Sequence, residues 1–165
     1  MPTAFLHDLK PVYAAYLDAQ EALADDDLDT YRVAAGDLDV AVGLVAETGV
    51  VGEPLATWRR AVSRLRGRAD VASIDRARDD FETMSEAVIA LQRRFGHRGS
   101  VSWRLAHCPM AFDDRGADWL QRGEVIDNPY FGATMLRCGE IRETFAPLDD
   151  ADADADAGAD TGGGS

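Results

Sequence analysis

The chain has 165 residues, enough for one domain with a single core, and no apolar run approaches the ~20 residues that a membrane span requires. Its net charge of −13 argues against nucleic acid and an anionic membrane surface as partners, because both need a basic face. Two cysteines are too few for a disulfide scaffold, and they allow one bridge, one metal site or two free thiols.

The acidity is lopsided, with 22 Asp against 8 Glu, and Lys10 is the only lysine beside sixteen arginines. Such a surface suits a high-salt environment, where acidic groups keep a protein dispersed; a GC-rich genome, which favours Asp, Ala and Arg, is the alternative. The start, MPTAFLHDLK, has no basic region followed by an apolar core, so no secretory signal is read there. That points to a cytoplasmic chain, or to one whose leader has been removed.

The first helix is predicted from about Ala4 to Ala24, where Leu6, Leu9, Tyr13, Tyr16, Leu17 and Leu23 recur at helical spacing. Pro11 either kinks it or opens it, with Phe5 to Lys10 as a lead-in. Asp27 is placed to cap a second helix, Leu28 to Thr48, whose stripe is Leu28, Tyr31, Ala35, Leu38, Val42 and Val45. Gly49 and Gly52 end it. A third, short helix runs from Pro54 to about Arg66 with Leu55, Trp58, Val62 and Leu65 inward. Its arginines, and Arg68 beyond it, are expected to face solvent and pair with surface Asp, with an anion site as the alternative. A fourth runs from about Ser73 to Phe95, where Ile74, Ala77, Phe81, Met84, Val88, Leu91 and Phe95 make one stripe and Met84 belongs to the core.

The period changes after Gly99. Val101, Trp103 and Leu105 alternate with polar or small residues, which predicts a strand; Gly139 to Phe145 predicts a second that pairs with it as a ribbon. Between them, Asp113 to Gly116 and Asn128-Pro129 read as turns, and Ala117 to Gln121 and Thr134 to Arg137 as helical turns. Tyr130 and Phe131 are expected to pack on Trp119 and Leu120. The fold class is therefore mainly α: an antiparallel four-helix bundle with a small C-terminal β-ribbon and turn-rich cap. The domain covers residues 1–147, with the cap from about 100. Residues 148–165, acidic and glycine-rich without an aromatic or branched apolar residue from Asp149 on, are expected to be a disordered tail.

Chemistry concentrates in the cap. In an extended segment Cys108 and Met110 share a face, and in a helical turn Met135 and Cys138 share one. If the two segments meet, two thiolates and two thioethers converge, a soft set that suits Cu(I) or Ag(I). His107 or His97 is able to replace one sulfur. Zinc with two cysteines and two histidines is the next choice, without the paired ligand spacing it usually shows. A Cys108–Cys138 disulfide is the structural alternative; it closes a thirty-residue loop and stabilises by ~3 kcal/mol in the chain-entropy model. A cysteine nucleophile is not supported, because His107 and Cys108 are strand neighbours on opposite faces. No carboxylate pair stands out for acid–base work, GVVGEP lacks the Lys and Ser/Thr of a phosphate loop, and His7 sits on a solvated helix face.

These blocks carry a resemblance. His107-Cys108-Pro109-Met110-Ala111, then Gly116-Ala117-Asp118-Trp119-Leu120, Ile126, Asn128-Pro129-Tyr130-Phe131-Gly132, Met135-Leu136 and Cys138-Gly139 follow in an order that resembles a bacterial domain of unknown function. That domain occurs as the C-terminal module of Cus-type heavy-metal efflux adaptors, which are periplasmic membrane fusion proteins, and alone in exported proteins. The likeness includes the helix around Tyr13 to Leu17 and spans roughly residues 6 to 145. It implies a helical domain with a small cap, a periplasmic or otherwise extracytoplasmic setting, and a non-enzymatic role in copper or silver handling beside metal-efflux components. By the same resemblance Cys108, Met110, Met135 and Cys138 are the metal-binding positions, with His107 as a further candidate. The chain shows neither a signal peptide nor an adaptor's barrel or hairpin, so an adaptor's assembly role does not carry over. The competing expectation is a structural or protein-interaction module with a Cys108–Cys138 disulfide and an aromatic contact surface.

Overall fold

The computed structural model describes residues 1–149; from residue 150 on, the expected tail lies outside the described residues. The fold is mainly helical with a small three-stranded antiparallel sheet. The helices are α1 (Thr3–Ala24), α2 (Leu28–Leu44), α3 (Gly52–Leu65) and α4 (Ile74–Phe95), and the strands are β1 (Trp103–Cys108), β2 (Ala117–Gln121) and β3 (Glu140–Phe145). Among the described residues no helix is long and apolar enough to cross a membrane.

Caps set the helix boundaries. Asp27 accepts the Thr30 N–H at 3.0 Å and opens α2, and Ser73 accepts the Arg76 N–H at 3.2 Å and opens α4. Pro11 lies inside α1, so Phe5 to Lys10 is helix rather than lead-in. Pro11 and His7 are both exposed, which leaves the backbone carbonyl deprived of its usual partner on the solvent side. The second helix stops at Leu44, short of the expected Thr48. Val45 is extended, and the Asp8 carboxylate accepts the Ala46 N–H at 3.0 Å outside the helix.

The helical stripes meet in one core. α1 packs along α2, α3 along α4, and α1 also meets α4. Phe5, Tyr16, Tyr31, Trp58, Phe81 and Met84 are fully buried there. Phe5 makes edge contacts with Trp58 and Phe95, and Tyr16 stacks on Phe81 at 4.9 Å. The exposed arginines find Glu more than Asp: Arg59 pairs with Glu47, Arg64 with Glu86 and Arg94 with Glu53. The more buried pair is Arg68 with Asp80 at 3.0 Å.

The sheet order is β2-β1-β3. The expected ribbon of β1 and β3 is present, with Trp103 opposite Phe145 and His107 opposite Glu140 and a bulge between Leu105 and Ala106. The third strand corrects the sequence reading. Ala117 to Gln121 is not a helical turn but β2, paired with β1 so that Ala106 faces Trp119 and Cys108 faces Ala117. Five residues are too few to hold an isolated helix, whereas the free edge of β1 satisfies their backbone groups at once. The helical turn expected at Thr134 to Arg137 falls slightly earlier, at Gly132–Thr134.

The sheet sits on α1 and α4. Tyr13 packs edge-on against Trp103, and the Tyr16 hydroxyl accepts the Leu120 N–H at 3.1 Å while pairing with Ser85 at 2.7 Å. Beyond β3 the chain stays anchored at least to Leu148, whose N–H donates to the His97 carbonyl at 2.8 Å.

Candidate functional site

Cys108 ends β1 and is fully buried. After it the chain reverses through Ala111–Asp114, where Phe112, Asp113 and Asp114 take left-handed backbone angles, and returns as β2. Cys138 arrives thirty residues later, half-buried, at the turn that leads into β3. Its N–H donates to the Met135 carbonyl at 3.0 Å. The two sulfurs are 3.0 Å apart, both as free thiols. The hydrogen bond with Cys108 pushes the Cys138 thiol up to about 11; burial and the neighbouring sulfur's charge act in the same direction, while the Met110 backbone opposes them.

Residues outside the pair hold it in place. Asn128 is fully buried; its Nδ2 donates to the Cys138 carbonyl at 2.8 Å, and its Oδ1 accepts the Tyr130 N–H at 2.8 Å. Its own backbone N–H donates to the Leu136 carbonyl at 2.9 Å. Gly139 lets the Cys138 segment pass over β1, because a Cβ there would stand 2.8 Å from the His107 carbonyl oxygen and 3.1 Å from the Trp119 ring. Arg78 on α4 ties this loop to the helices. It donates to the Pro129 carbonyl at 2.8 Å and the Leu23 carbonyl at 3.0 Å, and pairs with Asp26 at 2.7 Å. The Tyr130 hydroxyl donates to the Asp118 carbonyl at 2.6 Å, and its ring meets Trp119, Phe81 and Phe112.

Of the residues singled out by sequence, Cys108 and Cys138 are brought together. Met110 lies two residues beyond Cys108 and is 48% exposed. Met135 reaches the pair through its backbone carbonyl and is half-buried. His107 holds Asp118 across the β1–β2 pair, Nδ1 to Oδ1 at 2.6 Å. His97 is buried, stacked on Trp103 at 3.6 Å, with its nitrogens facing the Gln92 amide and the Val101 carbonyl. Among the described residues no three side chains of His, Cys, Asp or Glu group as metal ligands. Neither His107 nor His97 therefore joins the cysteines as a third such ligand, and the zinc alternative lacks its donor set.

Comparison with protein-family models, with curated proteins and with solved structures finds no match.

Asn128 and Arg78 position the site and were not legible as functional residues. Asn before Pro announced a turn but not that its side chain would fasten Cys138. Arg78, on a helix otherwise marked by its apolar stripe, has a side chain only 11% exposed.

Proposed function

We propose that this chain is a non-enzymatic soft-metal-binding domain that takes Cu(I) or Ag(I) at Cys108 and Cys138, with thioether support from Met110 or Met135. The observation that carries the reading is the 3.0 Å approach of the two sulfurs. Two adjacent thiols become two thiolates when a soft cation displaces their protons, and thioether sulfur completes a set that suits Cu(I) and Ag(I). Zinc usually takes four ligands of Cys, His or carboxylate, and none of these stands beside the pair as a third. The order of motifs in the cap, which resembles the module of heavy-metal efflux adaptors, supports the same reading. On that basis we place the protein in metal resistance or efflux, outside the cytoplasm, with efflux components as partners. The four long helices then act as an antiparallel bundle that carries the cap.

A titration of Cu(I) against a chromophoric chelator, under reducing conditions, tests this on the parent and four variants. Cys108→Ser and Cys138→Ser are expected to cost about a hundredfold or more in affinity. Met110→Leu and Met135→Leu are expected to keep the fold, and the loss of whichever thioether coordinates costs about tenfold, comparable to losing a supporting ligand partner. Because the Cys138 thiol holds its proton up to about 11, affinity rises with pH throughout the working range. Equal binding by all five proteins, or ready displacement of Cu(I) by zinc, refutes the assignment.

The same sulfur contact favours one other reading, a structural or interaction module stapled by a Cys108–Cys138 disulfide. A thiol count on protein kept from oxygen and from small disulfides separates the two: two free thiols support the metal site, and none supports the staple.

A further inference from the structure

We propose that the Cys108–Cys138 pair also carries out thiol–disulfide exchange with small disulfides, Cys138 entering first and Cys108 resolving, and that the bridge so formed closes the site to metal. Only the closing clause rests on the soft-metal reading; the exchange stands without it.

Access sets the order, even though the hydrogen bond with Cys108 holds the Cys138 proton and so makes the first attack slow at neutral pH and faster as pH rises. Cys108 is fully buried at the end of a central strand, while Cys138 is half-buried on a loop. A dissolved disulfide meets the sulfur that solvent meets. Proximity sets the second step. With the sulfurs 3.0 Å apart, a mixed disulfide on Cys138 already has its resolving thiol beside it. The Cys138 backbone is fastened on both sides, by Asn128 Nδ2 at its carbonyl and by the Met135 carbonyl at its N–H. Closure therefore calls for side-chain torsions rather than chain movement.

The reaction balances. Cys138 gives up its proton, and its thiolate attacks one sulfur of the small disulfide. That breaks the S–S bond and releases one thiol, which carries the proton away. Cys108 then gives up its proton and attacks the Cys138 sulfur, expelling the second thiol. Two protein thiols are oxidised to one disulfide, and one small disulfide is reduced to two thiols. Once bridged, neither sulfur is a thiolate, so the metal loses both charged ligands.

The test treats the full reduced chain with glutathione disulfide, without oxygen, and follows intact mass. The parent is expected to lose two hydrogens without keeping an adduct. Cys108→Ser is expected to hold one stable glutathione adduct on Cys138, and Cys138→Ser to react at least about tenfold more slowly. Equal rates for the two variants, or a parent that stops at the adduct, overturn the order. Against the chance that a variant is misfolded, the unaltered protein is pulsed with substoichiometric iodoacetamide and mapped by peptide. Label at Cys138 supports the proposal, and label chiefly at Cys108 overturns it. Ag(I) is then titrated into bridged and re-reduced protein. Binding by the reduced form alone supports the closure. Equal binding by both forms overturns it. If the mass pattern holds and neither form binds Ag(I), the soft-metal reading fails while the exchange stands.

Discussion

Asn128 spends every polar atom of its side chain on the cap. Nδ2 holds the Cys138 carbonyl, while Oδ1 collects the N–H groups of Tyr130 at 2.8 Å and Phe131 at 3.3 Å. The Tyr130 N–H is buried, so no water replaces its partner when the side chain is cut back, while the Cys138 carbonyl and the Phe131 N–H are only part-buried. Asn128→Ala leaves one N–H unpaired inside the protein and loosens the other two groups, which costs about 2 kcal/mol, within the range for one buried unsatisfied group. The same change frees the Cys138 segment, so alkylation of Cys138 should speed up. Asn128→Asp keeps the acceptor and loses the donor; it is expected to hold the Tyr130 turn better than Ala does while still releasing Cys138. Urea unfolding and the alkylation rate measure the two effects separately. An Asn128→Ala protein within about 0.5 kcal/mol of the parent, the range of an ordinary surface change, sinks the idea that this residue fastens the site.

At the scale of elements, His97 is the joint between α4, β1 and the segment after β3. It follows the α4 cap residue Gly96, its ring lies against Trp103, and its carbonyl takes the Leu148 N–H. Burial pushes the imidazole below its ordinary range and the charge of Arg98 adds to that, while the bond to the Val101 carbonyl works against both. The unfolded chain takes up the proton near pH ~6.5 and the folded chain resists it to lower pH. Between those points the unfolded state binds more protons, so the stability is present above pH ~6.5 and is lost as pH falls below it. Unfolding free energy should therefore drop from pH 7 toward pH 5, and His97→Gln should flatten that slope; an unchanged slope in the variant assigns it to other groups. This joint also marks where sequence reading stops. The four helices were legible because their stripes are local, as in the run from Ala77 through Phe81, Met84 and Val88 to Leu91, all buried as expected. β2 was not, because Ala117 to Gln121 becomes a strand only by lying on the edge of β1, and no spacing within five residues contains that partner. The sulfur pair was legible as a set of alternatives. What brings the sulfurs together is Asn128, Gly139 and Arg78, and those contacts link residues far apart in the chain.

For the molecule as a whole, charge sets the dependence on solution conditions. Two effects of opposite sign act on the folded state. The net charge of −13 makes the compact chain repel itself, and salt relieves that repulsion. Salt also weakens the ion pairs that dot the surface. Most of these, such as Arg59–Glu47, Arg64–Glu86 and Arg122–Asp18, are well exposed on at least one side and contribute about 0–1 kcal/mol each. The more enclosed pairs, Arg68–Asp80 and Arg78–Asp26, are the least screened and keep most of their effect. Repulsion is summed over all charges, whereas each exposed pair is small and local, so relief of repulsion wins. Raising NaCl from about 0.02 M to about 0.5 M shortens the screening length from roughly 20 Å to roughly 4 Å. The midpoint of thermal unfolding should rise with it by about 5 °C, the size expected for one to two kcal/mol in a chain of this length. Replacing Asp150, Asp152, Asp154 and Asp156 by Asn in the full chain removes four negative charges without touching any described contact. That variant should start from a higher midpoint in dilute buffer and gain less from salt. Scanning calorimetry across a salt series on both proteins decides the matter. A midpoint that falls with salt means that the ion pairs outweigh the repulsion, and full stability in dilute buffer removes the case for a high-salt setting.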